Sequence, residues 1–324
     1  MFAGECLGYR AMWKRLNRKG TRVPRDAVRI ALKVLRPHLV EERRIRRLHR
    51  RSYANPGPNF CWHVDGYDKL KPFGFAIHGC IDGYSRKIMW LHVGKSNNNP
   101  EIIGLYFVQA LLKHEAVPCI LRTDRGTENV HLEKIQKFLR RDGTDMLAAE
   151  NSFVYGRSTS NQRIEAWWAV LRRQCITFWI NMFKDMTTLG LINMQDPLHV
   201  HCLRFCFMEV IAQEIDRVAK DWNVHHIQSR RGSGNVAGKP DKMYYVPEEF
   251  DTASFSAEFK ENEIKEIEQE LELTVESNTL HDPDFVRIVN IVCPDWEYPT
   301  NAETAQDLYV QILGRIAEFE NALP

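Results

Sequence analysis

Asp65, Asp124 and Glu165 are the residues of this chain best set for chemistry on phosphate. Asp65 stands near the end of an apolar run, in Phe-Cys-Trp-His-Val-Asp-Gly-Tyr at 60–67. Asp124 follows a second such run, in Cys-Ile-Leu-Arg-Thr-Asp-Arg-Gly-Thr-Glu-Asn at 119–129. Glu165 lies in Ser-Asn-Gln-Arg-Ile-Glu-Ala-Trp-Trp at 160–168, a strongly helical stretch. Hard divalent cations take oxygen ligands and are commonly held by a few carboxylates together with substrate phosphate. A pair of such ions activates the attacking oxygen and stabilises the leaving one, and three carboxylates suffice to hold the pair. Asp68, Asp82, Glu101 and Glu128 are rivals by residue type, and composition and spacing alone do not choose among them.

The elements that must position these groups read as mixed α/β. Strands are expected over 60–64, 74–81 and 87–93, the last two joined by the turn Asp82-Gly-Tyr-Ser85. Apolar residues at helical spacing, among them Ile103, Phe107 and Leu111, predict a helix over 100–114. A short buried strand over 117–123 ends at Asp124, a helix follows over 132–139, and a fifth strand is expected over 145–149. The polar loop 155–162 feeds a long helix capped by Ser158 or Ser160. Ile164, Trp168, Leu171, Cys175 and Phe178 would be its buried face, with Asn161, Glu165 and Arg172 on another. A second long helix is expected over 198–222. An acidic one is expected over 261–273, with Ile264, Ile267 and Leu271 docking it only weakly.

The net charge of +2 hides a gradient. Residues 1–60 hold 16 Lys/Arg against 4 Asp/Glu, and residues 241–324 hold 5 against 20. A basic head points to an anionic polymer. Within it, residues 8–36 read as a helix–turn–helix. Ala27, Val28, Ala31, Leu32 and Leu35 form an apolar face; Arg25, Arg29, Lys33 and Arg36 form a basic stripe suited to DNA. Pro24 suits the first helical position. The run of arginines at 43–51 suits phosphate binding or nuclear import. No 18-residue apolar stretch offers a membrane span, and the N-terminus lacks a signal-peptide pattern. The eight cysteines form no CxxC, so reduced buried thiols are expected. His199, His201, Cys202 and Cys206 share one helix at spacings that do not face one side, so no zinc is expected there.

The combined motifs resemble the integrase core family of retroviral and retrotransposon integrases and insertion-sequence transposases. The matching pieces are Trp62-His-Val-Asp65, Ile81-Asp-Gly-Tyr-Ser-Arg86, Thr123-Asp-Arg-Gly-Thr-Glu-Asn129, Asn161-Gln-Arg-Ile-Glu165 and Trp222-Asn-Val-His225 with the later Pro240. The resemblance implies an α/β, RNase H-like fold with a mixed five-stranded sheet, preceded by a small helix–turn–helix arm. It implies a DDE triad of Asp65, Asp124 and Glu165 holding two Mg2+ (or Mn2+) ions, with Asp65 shared. Gly126 would serve the tight turn after the strand, Asn129 would cap the next helix, and Asp82 and Arg86 would be structural.

The implied function is DNA integration or transposition by phosphodiester cleavage and strand transfer. DNA, as element ends and target, would be the partner, and the enzyme would act as a homo-oligomer. Arg125, Arg157 and Arg163, with Asn161 and Gln162, would meet DNA near the site. The expected domains are a basic arm at 1–54, the catalytic core with its following segment at 59–247, and an acidic region at 248–324. The nucleus is the expected location in a eukaryote, the cytoplasm otherwise. The alternatives are a domesticated, non-catalytic nucleic-acid-binding protein and an RNase H-type nuclease. The zinc-binding module of retroviral integrases is absent, and the acidic region has no counterpart in the family.

Overall fold

The computed structural model describes residues 9–18, 20–35, 37, 38, 40, 55–156, 161–228, 236–271 and 281–322. The chain divides into two compact units, Met1–Tyr53 and Ala54–Pro324.

In the first unit, α1 (Tyr9–Arg18) and α2 (Arg25–Leu35) pack together across a turn at Gly20, whose φ of 82° favours glycine. The Trp13 indole N–H donates to Val23 O at 2.9 Å. Pro24 stands just before α2 rather than inside it, its carbonyl accepting from Val28 N. Of the expected apolar face only Val28 is buried. Ala27, Ala31 and Leu35 are exposed, and the stripe of α2 covered by α1 is narrow. Arg25, Arg29 and Lys33 are exposed, with Arg29 paired to Asp26 at 3.1 Å. Arg36 lies outside the described residues.

The second unit is built on a five-stranded sheet of order β3-β2-β1-β4-β5. Its strands are β1 (Cys61–Tyr67), β2 (Ala76–Asp82), β3 (Ile88–Gly94), β4 (Ile120–Thr123) and β5 (Phe153–Tyr155). The first three form an antiparallel meander, and β4 and β5 continue parallel to β1. Both faces are covered, which is why the strands read as near-continuous apolar runs. On one face Trp62, Val64, Cys80 and Trp90 pack against α3 (Pro100–His114) and α4 (Val130–Leu139). On the other, Tyr67, Ile77, Ile81 and Leu91 pack against α5 (Gln162–Leu171), α6 (Thr177–Thr188) and α7 (Pro197–Val224). This mixed sheet with helices on both faces is the RNase H-like arrangement.

Three expectations about the elements need correcting. The fifth strand is not at 145–149. There the Asp145 carboxylate accepts from Leu147 N at 2.8 Å, Ala149 N returns to Arg140 O, and Ala149 has a φ of 49°, so the chain turns. Pairing with β4 begins only at Phe153. Phe178 is 52% exposed, while Trp179 is buried. A π-helical turn at Arg172–Ile176 joins α5 to α6 and adds one residue to the helical period, so the buried position after Cys175 falls at 179. Finally, α9 (Glu261–Glu270) docks firmly: Ile264, Ile267 and Leu271 are all buried in the core beside α3 and α4. After α8 (Pro240–Tyr245), the remaining helices are α10 (Pro283–Val292) and α11 (Ala302–Ala322). Both pack on α7, where Phe285, Val289, Tyr309 and Ile312 join its core.

The seven described cysteines are buried with free thiols. Cys202 and Cys206 lie in the α7 core, and His199 Nδ1 meets the Tyr309 hydroxyl at 2.6 Å, joining α7 to α11. No described helix is long and apolar enough to cross a membrane.

Candidate active site

Asp65 lies inside β1, opposite Gly79 of β2, rather than at the strand's free end. Alternation sends Trp62 and Val64 to one face of the sheet and His63, Asp65 and Tyr67 to the face under α5. Trp168 of α5 stacks on Tyr67 with ring centroids 4.9 Å apart, and its indole N–H donates to Asp65 Oδ2 at 2.8 Å. Gly79 makes room for that ring: a Cβ there would stand 2.9 Å from Trp168 Cη2 and 3.1 Å from Leu91 Cδ1. A glycine inside a strand thus marks a close approach. Here it decides where the indole sits and so how Asp65 is held.

Asp124 follows β4 directly and is half-buried. Asn129 stands at the start of α4, but its side chain makes no cap. It turns back, Nδ2 donating to Glu128 Oε1 at 2.9 Å and reaching Asp124 O at 3.3 Å and Oδ1 at 3.5 Å. Gly126 is extended, φ −142° and ψ 151°, so a left-handed turn is not its role. The Glu128 carboxylate folds over its α-carbon, with Oε1 1.9 Å from where a Cβ would be.

Glu165 is exposed in the first turn of α5. Asn161, just before that helix, is buried and ties it to β1. Its Nδ2 donates to Val64 O at 2.8 Å, and its Oδ1 meets His63 Nδ1 at 2.6 Å. Burial holds the His63 pKa down at about 3, so the ring is neutral at ordinary pH; Nδ1 carries the proton if, as the contact implies, it donates to Asn161. Both polar atoms of Asn161 are used within the fold. Its side chain therefore sets α5 on β1 and is not available as the DNA contact that its sequence position suggests. Ser158, Ser160 and Arg157 lie outside the described residues. Arg125 and Gln162 are exposed, and Arg163 is half-buried.

Asp65 feels the other two carboxylates. Asp65 is pushed up from 3.8 to about 7, first by burial and then, against the Trp168 hydrogen bond, by the charges of Asp124 and Glu165. Among the described residues, no three acidic, histidine or cysteine side chains stand close enough to ligate one ion as they are. The all-oxygen donor set nonetheless fits a hard divalent cation, whose charge offsets the repulsion that raises Asp65. Of the rivals, Glu128 stays beside the site, joined to Asp124 through the Asn129 amide, and the other three lie apart from it. Asp82 is fully buried and accepts from Asn59 N, Tyr84 N, Ser85 N and the Ser85 hydroxyl, closing the β2–β3 turn. Asp68 holds Lys71 and Asn97, and Glu101 is exposed in the first turn of α3.

Trp168, Gly79 and Asn129 are the site residues that pattern reading assigned to other tasks or passed over. The glycine within an apolar strand was the available signal.

No curated protein matches the chain. The pattern of the family described as Integrase core domain matches residues 52–240, more than half of the chain and the whole of the sheet and the three carboxylates. That domain's chemistry, at the level of the family, is polynucleotidyl transfer in DNA integration. Sheet order and this match agree, and the chain belongs to the integrase core family.

Proposed function

We propose that the protein cuts DNA strands and joins the freed 3′-hydroxyl to a target strand, with Asp65, Asp124 and Glu165 as its metal-binding triad. The observation that carries this reading is that three acids delivered by β1, by the end of β4 and by α5 come near enough for Asp65, raised first by burial, to be raised further by the charges of Asp124 and Glu165. Asp65 would be shared between two Mg2+ (or Mn2+) ions, Asp124 holding one and Glu165 the other. Such ions, when bound, supply charge neutralisation at the phosphodiester and favour ionisation of the attacking hydroxyl. Trp168 keeps Asp65 oriented, Asn129 restrains Asp124, and Asn161 fixes the helix that presents Glu165. Arg125, exposed beside Asp124, would meet a backbone phosphate.

DNA as partner is supported by the charge excess of residues 1–60 and by the exposed Arg25, Arg29 and Lys33 of α2. The protein would work as a homo-oligomer wherever its DNA is held, in the nucleus of a eukaryotic cell. The test is a strand-transfer assay on labelled duplex with Mg2+ or Mn2+, comparing the parent protein with Asp65→Asn and Asp124→Asn. Joining by the parent and none by the correctly folded variants is the expected result. Undiminished metal-dependent joining by either variant would overturn the triad. DNA binding without joining by the parent would favour a domesticated binding protein, and cleavage of RNA–DNA hybrids without joining an RNase H-type nuclease.

A further inference from the structure

The helix that carries Glu165 borders a second feature. Arg163, Ala166, Trp167, Val170 and Arg173 of its sequence recur at helical spacing and turn a different side from Glu165, with Ala169, one turn after Glu165, at the border between the two sides. With Arg86 at the β2–β3 turn and the segment from Trp222 to Gln228, they line a cleft of about 690 Å3. That volume is within the range of sites that hold small organic ligands, about 300–1,000 Å3.

The chemistry of the lining is one-sided. Three arginines contribute to it and no acidic side chain does among the described residues. Arg86 and Arg163 stand near enough that the Arg163 charge, after burial, helps lower the Arg86 pKa to about 10. One Arg86 terminal nitrogen is used by Val236 O and the Met243 sulfur, but its Nε is buried without a hydrogen-bond partner. So is Nε1 of Trp167, a residue only 1% exposed. The arginine side chains of the lining can only donate, so a complementary ligand must bring acceptors. In the lining, Trp222 and His225 lie against each other with centroids 4.4 Å apart, and Trp222 leans on Trp167 at 4.9 Å. The Trp222 N–H donates to Arg86 O at 2.7 Å, which holds the indole in place. Aromatic faces beside arginines are how single-stranded nucleic acid is held without sequence readout.

We propose that this cleft takes one unpaired nucleotide of a DNA strand, its base against Trp222 and His225 and its phosphate on Arg173 and Arg86. The inference rests on the reading of the protein as acting on DNA and adds a site for a base outside the duplex. A bare phosphate would leave the aromatic wall unused, and an acidic peptide would not need it.

The test uses the full-length protein and a single-stranded oligothymidylate carrying one 5-iodouracil, with an abasic oligomer of equal length and an acidic peptide as comparators. The thymidylate should bind roughly tenfold more tightly than the abasic strand. Irradiation should join it to the segment holding Trp222 and His225. Ala169→Trp fills the cleft from an exposed helix position and should bring thymidylate binding down to the abasic level. Arg173→Glu should weaken both strands, with circular dichroism confirming that each variant folds. Equal binding of the two strands, binding indifferent to Ala169→Trp, or tighter capture of the acidic peptide would overturn the proposal. The Asp65→Asn variant should keep cleft binding while losing joining. A protein that fails to join DNA but passes these binding tests therefore loses the strand-transfer reading and keeps the cleft.

Discussion

Replacing Asp65 with asparagine should make the metal-free protein more stable while it abolishes chemistry. In the folded chain Asp65 is raised from 3.8 to about 7 by burial and by Asp124 and Glu165. A carboxyl raised on folding binds more protons folded than unfolded, so stability falls as pH climbs from about 4 to about 7 and the penalty is complete above that. At about 1.4 kcal/mol per unit the shift corresponds to a ceiling of about 4 kcal/mol. Asp65 is only half-buried, and solvent screening reduces this to ~2 kcal/mol, on the order of 4 °C in melting temperature. Asparagine keeps the shape and can still accept from Trp168 Nε1. The assay is denaturant unfolding in EDTA at about pH 8 and about pH 4, for parent and variant. The variant should be the more stable at the higher pH, and the gap should close at the lower one. Mg2+ should stabilise the parent more than the variant. Equal stability of the two at pH 8, or a gap that widens on acidification, would refute the claim that folding raises Asp65 through burial and the neighbouring charges of Asp124 and Glu165.

Three further outcomes follow from the same geometry. Asn161→Ala removes two buried hydrogen bonds to β1 and should cost about 1–3 kcal/mol in urea unfolding, with a loss of joining activity beyond the loss of folded protein. Gly79→Ala sets a Cβ against Trp168 and Leu91; overpacking of about 1–3 kcal/mol is expected, with reduced joining as the indole is pushed from Asp65. Ile267→Ala opens a cavity where α9 meets the core and should cost about 2–5 kcal/mol, visible as a lower denaturation midpoint.

Much of the scaffold was legible because burial on two faces and helical amphipathy leave periodic marks. The helix over 100–114, the meander and the strand before Asp124 stand where their patterns put them. Beyond β4 the marks weaken. A three-residue strand such as β5 is too short to alternate, and the turn at 145–149 carries an apolar Met-Leu-Ala-Ala run that reads as a buried segment. The π-helical turn after α5 has no compositional signature, so periodic extrapolation passed over it and picked Phe178 in place of Trp179.

Asp65, Asp124 and Glu165 could be proposed from the sequence alone because their neighbours carry local information: an apolar run before each aspartate, a helical pattern around the glutamate, and motifs in family order. What holds those acids is not local. Trp168 and Gly79 are 89 positions apart yet share one contact, and Asn161 reaches residues 97 and 98 positions earlier in the chain. Only the packing of α5 on β1 and β2 decides that an asparagine in a motif ties two elements together and that a strand glycine admits an indole. The same packing brings three acids into one field and raises Asp65. Residue type and spacing name groups able to bind a cation; their mutual charge and burial depend on distances across the chain that only the folded sheet and helix set.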